Sequence, residues 1–196
     1  MSCIALIPAK GSSERLPLKN LRTFFGKPII SYSIETALAS ELFSEVYVST
    51  EDERIAAVAA AHGAIALHRE PSLCDDHIGT QDVMQHHIVD PRFRETTHAC
   101  VIYPCAPLMT TDDLHEGYRR LLTYGADFAF SVGTEPLRDA GAWYWGTVKA
   151  FAEGRPLFGP DSLMIPLPRE RVVDINDERD WLRAELLYQA MKKKAA

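Results

Sequence analysis

The sequence predicts an α/β domain built on a mostly parallel sheet with helices on both faces. The main observation is alternation. Short apolar runs at 3–7, 46–49, 64–67, 99–103 and 128–132 are separated by segments whose apolar residues recur at helical spacing. A second observation is size: 196 residues, 46% of them hydrophobic, suffice for one large core, and no linker is long enough to separate two domains. A single domain over residues 1–196 is therefore expected.

The elements follow in order. Run 3–7 is the first strand and stops at Pro8. After a polar loop, Ile30, Ile34, Ala37 and Leu38 predict a helix over about 28–40, and 46–49 is the second strand. Thr50 or Glu51 opens a helix with Ile55, Val58, Ala59 and His62 on one face; Gly63 ends it before strand 64–67. A polar connector, 68–79, leads to Thr80, an N-cap candidate for a helix striped by Val83, Met84, His87 and Ile88. His87 on that stripe reads as a hydrogen-bonded core residue. Asp90-Pro91 breaks the helix, and strand 99–103 ends at Pro104. Thr110 or Thr111 caps a helix that turns Leu114, Tyr118, Leu121 and Leu122 inward, Gly125 ends it, and strand 128–132 follows.

The last third is less regular. Residues 139–146, DAGAWYWG, form an aromatic strand on which Trp143 and Trp145 alternate with Tyr144, so one face is core and the other is free to stack on a ligand. Residues 164–167 are a short strand candidate. Asp174, Ile175, Asn176 and Asp177 precede a helix with Trp181, Ala184, Tyr188 and Met191 in register.

Composition removes several classes of function. The first strand is too short and too soon followed by charge for a signal peptide, and no apolar run approaches a membrane span, so a cytoplasmic protein with no membrane partner is expected. Cys3, Cys74, Cys100 and Cys105 lack C-x-x-C spacing and read as free thiols. Net charge is −6, which argues against nucleic acid as a partner.

Against that overall sign, Lys10, Arg15, Lys19 and Lys27 gather positive charge within one segment. The loop after the first strand is small and polar, so its amides can approach phosphate oxygens. It is neither a Walker loop, since no Gly-Lys-Ser/Thr follows, nor a dinucleotide fingerprint, since Gly11 is its only glycine. An ordinary turn with solvated charges is the competing reading. In an open parallel sheet ligands sit beyond the carboxyl ends of the strands, which places this loop, connector 69–80 and turn 103–107 around one crevice. That convergence favours an anion site.

These residues resemble the acylneuraminate cytidylyltransferase family. The motif Pro-Ala-Arg-Gly-Gly-Ser-Lys-x-Ile/Leu-Pro-x-Lys-Asn stands at 8–20 as PAKGSSERLPLKN. Further matches are STEDERI at 49–55, Arg69 with LCDD at 73–76, YPCAP at 103–107, and DIND at 174–177 with DWLRAE at 180–185. DAGAWYWG is similar to the pseudaminic acid branch in particular. The resemblance implies a Rossmann-like three-layer α/β/α nucleotidyltransferase fold and transfer of CMP from CTP to a sugar acid with Mg²⁺ as cofactor. By position in the motifs it implies that Lys19, Lys10 and Asp174 are catalytic. It implies a nucleotide site of Ala9, Lys10, Gly11, Ser13, Lys19, Asn20, Arg69 and Thr80. Asp174 and Asn176 would hold metal, and Tyr103, Arg138 and Tyr144 would meet the sugar. Asp174, Asn176 and Asp177 are also candidate helix caps.

The chain departs from the motif at several places. Lys10 replaces arginine, exchanging a bidentate fork for a point charge. Glu14 stands where lysine is usual, and Asn176 replaces a metal carboxylate. The insert that forms the family's dimerisation arm is missing after 134–137, so a monomer or a differently built oligomer is expected. Two alternatives stay open: a nucleotide-binding homologue with impaired catalysis and a regulatory or partner role, and an enzyme acting on a 3-deoxy-manno-octulosonate-like acid.

Overall fold

The computed structural model describes residues 2–12, 15–75 and 77–195. Strand β1 (Ser2–Pro8) leads through the loop and a 3₁₀ turn (Lys19–Leu21) to a small hairpin, β2 (Thr23–Phe24) and β3 (Lys27–Pro28), and then to α1 (Ile29–Ala39). There follow β4 (Glu45–Thr50), α2 (Glu53–Ala61), β5 (Ile65–His68), α3 (Thr80–Ile88), β6 (Thr96–Ile102) and α4 (Thr111–Tyr124). The last third holds β7 (Phe128–Thr134), β8 (Leu137–Thr147), α5 (Val148–Ala152), β9 (Ser162–Pro166) and α6 (Glu178–Ala195).

Among the described residues the main sheet has seven strands in the order β5-β4-β1-β6-β8-β7-β9. Only β8 runs antiparallel to its neighbours. The mostly parallel α/β architecture thus stands. Strand order reverses beside β1: the chain moves outward to β4 and β5, then returns to place β6 on the other side. That reversal opens a crevice at the carboxyl ends of β1 and β6.

Both faces of the sheet are covered. One packs Ile30, Ile34, Ile55, Leu114, Trp143 and Trp145; the other packs Ile4, Leu6, Val83, Met84, Tyr144 and Phe151. A third cluster docks α6 beside the small hairpin. Trp181 and Tyr188 meet Phe24 edge-on at ring separations of 5.5 and 5.3 Å, and Arg22 lies 4.3 Å over the Trp181 ring. These contacts fix the start of α6, and with it the 174–177 segment, against the amino-terminal loop.

Several expectations are corrected. Asp52, not Thr50 or Glu51, caps α2, its Oδ1 accepting from the Arg54 and Ile55 amides at 2.8 and 3.4 Å. Gly79 rather than Thr80 occupies the N-cap of α3, where Asp82 accepts from the Gly79 amide at 2.7 Å. Leu122 faces outward on α4 because the inward stripe closes with Leu121. Trp143, Tyr144 and Trp145 are all buried, because β8 is an interior strand with packed side chains on both faces. Tyr144 therefore has no solvent-facing ring surface for stacking. Helix α5 was not expected; Thr147 caps it directly at the end of β8.

Candidate active site

The crevice at the strand reversal is a cleft of 460 Å³, within the range of small-molecule sites. It is lined by Pro8, Lys10, Ser12, Arg15, Lys19 and Asn20 from the amino-terminal segment, Thr80 from α3, Tyr103 and Pro104 after β6, and Asn176 before α6.

The amino-terminal rim is held from behind by main chain. The Ala9 amide donates to the Ser49 carbonyl at 2.9 Å, prolonging the β1–β4 pairing by one residue. The Gly11 amide donates to Glu51 Oε1 at 2.7 Å. Both amides, expected at a nucleotide, are spent on the protein itself, one on β4 and one on the turn after it, while Lys10 and Ser12 line the cleft. Only glycine fits at position 11: a Cβ there would lie 2.6 Å from Asp52 Oδ2 and 2.8 Å from Asp52 Cβ. Asn20 is buried; its Nδ2 donates to the Lys10 carbonyl at 2.9 Å and its Oδ1 accepts from the Cys105 thiol at 3.3 Å. It ties the loop down and borders the cleft. Ser13 and Glu14 lie outside the described residues.

The carboxyl-terminal rim is latched across the cleft by side chains. Lys19 Nζ donates to the Ile175 carbonyl at 2.6 Å, between Asp174 and Asn176. Arg15 donates to Asn176 Oδ1 at 2.9 Å, and Asn176 Nδ2 donates to Asp174 Oδ2 at 2.7 Å. Asp174 itself is exposed and lies against Gly141, whose φ of +61° a side-chain-bearing residue rarely adopts and whose Cβ would stand 3.3 Å from the Asp174 carboxyl carbon. Lys19 and Asp174 both act on the buried Cys105 thiol. Burial pushes it up to about 12, with Lys19 pulling down and Asp174 pushing up. Asp177 caps α6, accepting from the Arg179 and Asp180 amides at 2.8 and 3.0 Å.

The side chains around Asp174 offer a divalent metal few donors. Among the described residues no three His, Cys, Asp or Glu side chains converge as a cage. Asp174 is one exposed hard ligand. Asn176 turns its oxygen to Arg15 and its nitrogen to Asp174. That set suits a cation held by one carboxylate that completes its shell with water and phosphate oxygens, the usual Mg²⁺ arrangement at a nucleotide.

The remaining predicted residues divide. Thr80 Oγ1 donates to Tyr103 Oη at 3.4 Å, and the Tyr103 and Tyr144 rings stand 5.3 Å apart. Tyr144 donates to Asp139 Oδ2 at 2.6 Å; burial first, then Tyr103 and Asp139, push its phenol well above the ordinary range, so it stays neutral. Arg69 is buried beneath the cleft, its guanidinium donating to the Ser49 hydroxyl and carbonyl, both at 3.0 Å. Ser49 also bonds His87 Nε2 at 2.8 Å, and burial lowers His87 to about 4. Arg138 is not brought to this cleft. It lines a separate narrow groove with Arg169, Arg183 and Glu135. Sequence reasoning missed Ser12 as a wall and Glu51 as the loop's anchor. The basic cluster already pointed to Arg15, but nothing local to Glu51 indicates that it reaches Gly11.

Comparison with known proteins completes the picture. A family model described as cytidylyltransferase matches residues 4–131. The chain is 34% identical to the pseudaminic acid cytidylyltransferase of Campylobacter jejuni serotype O:2, with the whole of both chains covered. It is 26% identical to the N-acylneuraminate cytidylyltransferase of Escherichia coli, covering 95% of this chain and 52% of that one. Among solved structures, a CMP:2-keto-3-deoxy-manno-octonic acid synthetase complexed with CTP superposes with a TM-score of 0.76 at 16% identity, covering 97% of this chain and 100% of that one; this likeness establishes the fold. The alignment with the Campylobacter protein runs over 231 positions against 196 residues here, and the β7–β8 hairpin turns through Glu135 and Pro136 alone. The motif at 8–20 within the matched segment, the fold and the full-length likeness agree: the chain belongs to the cytidylyltransferase family.

Proposed function

We propose that this protein transfers CMP from CTP to the anomeric hydroxyl of a nonulosonic sugar acid of the sialic or pseudaminic type, releasing pyrophosphate. The observation that carries the reading is the Lys19 ammonium, held 2.6 Å from the Ile175 carbonyl between Asp174 and Asn176. It sets a cation in the cleft beside the segment that carries the Asp174 carboxylate, which is bonded to the cleft residue Asn176.

Transfer of this kind needs in-line positioning and neutralisation of charge more than a covalent catalyst. Lys10 and Arg15 take the β- and γ-phosphates. Lys19 leaves the Ile175 carbonyl for the α-phosphate and meets the charge that develops there as the sugar oxygen attacks and the bond to pyrophosphate breaks. Thr80 and Asn20 border the nucleoside end, and Tyr103 borders the acceptor. Asp174, with the Asn176 amide beside it, would hold Mg²⁺, which when bound neutralises phosphate charge as a hard Lewis acid. The enzyme works as one domain, as a monomer or an oligomer not built on the family arm, and in the cytoplasm; no helix among the described residues is long and apolar enough to cross a membrane.

The test is pyrophosphate release from CTP and Mg²⁺ with a panel of sialic, pseudaminic and 3-deoxy-octulosonic acids. Release with a nonulosonic acid is expected. Bound CTP with no release for any acid would replace this reading with that of a nucleotide-binding homologue.

A further inference from the structure

We infer that Glu51 is a positioning residue for the phosphate loop: its carboxylate holds the Gly11 amide from behind and so turns Lys10 and Ser12 into the cleft. The inference rests on the reading of this cleft as a nucleotide site, and it concerns a residue outside the cleft wall.

Four observations support it. First, the Gly11 amide donates to Glu51 Oε1 at 2.7 Å, a short contact to a charged acceptor and of the stronger kind. Second, the direction of that amide sorts its neighbours: Lys10 and Ser12 line the cleft while Gly11 between them does not. Third, the loop can sit this low only because residue 11 has no side chain, since a Cβ would meet Asp52 at 2.6–2.8 Å. Fourth, the other carboxylate oxygen, Oε2, is shut away from solvent, so the charge depends on the groups packed around it.

A buried carboxylate is costly unless its charge is compensated. A residue serving stability alone would be better replaced by a neutral acceptor. Burial works against the Glu51 charge, but its own amide, the Gly11 amide, the Cys74 thiol and Arg69 outweigh it, so the side chain is ionised. The retained charge strengthens its hold on one amide, and that amide determines where the loop points. Arg69 belongs to the same support, anchored on Ser49 directly behind Ala9.

The opposite role is also physically possible. Glu51 would then be an internal stand-in for a phosphate oxygen, competing with the nucleotide for the Gly11 amide. The two roles predict effects of opposite sign.

The experiment compares the parent with Glu51→Ala, Glu51→Gln and Gly11→Ala. CTP affinity is measured by calorimetric titration without acceptor, and exchange of the Gly11 amide by NMR without nucleotide. Losing a charged acceptor should weaken CTP binding about tenfold or more in Glu51→Ala. Glu51→Gln keeps an acceptor oxygen for Gly11 and should recover most of that loss. Gly11→Ala should match Glu51→Ala by lifting the loop away. The thermal midpoint of Glu51→Ala should fall, since the Gly11 amide loses its acceptor and the buried Arg69 a nearby carboxylate, and Glu51→Gln should restore part of the fall. Faster exchange of the Gly11 amide in Glu51→Ala is expected whether or not CTP binds. Unchanged exchange in that variant, or CTP bound as tightly as or more tightly than in the parent, overturns the inference. If the parent fails to bind CTP, the reading of the cleft fails, while the exchange measurement still decides whether Glu51 holds the loop.

Discussion

The two rims of the cleft are held in different ways. The amino-terminal rim is fixed behind itself, by the Ala9 and Gly11 amides and by Asn20, none of which must move for the cleft to be used. The carboxyl-terminal rim is fixed through Lys19 and Arg15, the cations expected to meet the triphosphate. On the proposed function, a nucleotide would take these donors away from Ile175 and Asn176. One rim is a rigid mould and the other a latch made of the binding groups themselves. In this arrangement the acidic segment is paired with the rim cations, and on the proposed function substrate phosphate would replace it.

The comparison can be broken most strongly at Lys19. Lys19→Met removes the latch and the charge that meets the α-phosphate together, and turnover should fall by about 10²–10³, as for loss of a single transition-state donor. Steady-state pyrophosphate release with saturating CTP measures it, and a fall confined to KM would show that Lys19 serves binding alone. Asp174→Asn comes next. It removes the carboxylate proposed to hold the cation, so activity should drop by about 10²-fold or more and recover in part at high Mg²⁺. A metal titration of activity, with chelator as the zero point, checks this.

Trp181→Ala tests how the latch is seated. The indole is 2% exposed, meets Phe24 and lies under Arg22, so its loss should cost roughly 3–5 kcal/mol in chemical denaturation and loosen the start of α6. Asn176→Asp should have a smaller effect. It keeps an acceptor for Arg15 but sets a second carboxylate beside Asp174, so metal affinity should rise several-fold while thermal stability without metal falls slightly. Calorimetry with Mg²⁺ reads the first and a melting curve the second.

The mould should show a pH dependence. His87, behind Ser49, is depressed to about 4 from an ordinary value near 6.5. Below about 6.5 the unfolded chain takes up a proton there that the folded chain refuses, so stability falls as pH drops from about 6.5 to 4. Unfolding curves across that window should show a slope that His87→Gln reduces. An unchanged slope would remove His87 from the account.

How much of this was legible in the sequence differs between the rims. The strand at 3–7, its stop at Pro8, the basic cluster and the crevice position followed from local patterns, because apolar periodicity and charge are properties of neighbours in the chain. Lys19 and Asp174 were named from matched motifs; Lys19 lines the cleft, and Asp174 sits just behind it, bonded to the lining residue Asn176. The Asp52 cap was missed because Thr50, Glu51 and Asp52 are all plausible there, and only the path of the chain selects among them. Tyr144 was given a free face because alternation along a strand shows two faces without showing whether both are covered. Insertion of β8 between β6 and β7 covered both.

By itself, then, the sequence determined the alternating elements, the parallel majority of the sheet and the residue types that suit phosphate. Those depend on spacing and on side-chain chemistry. Tertiary structure decided which groups are spent and which are on offer. Gly11 turns its amide to a carboxylate 40 residues away, Asn176 turns its oxygen to Arg15, and Arg138 falls into another groove. Each of these is a contact between segments distant in the chain, set by how the elements pack.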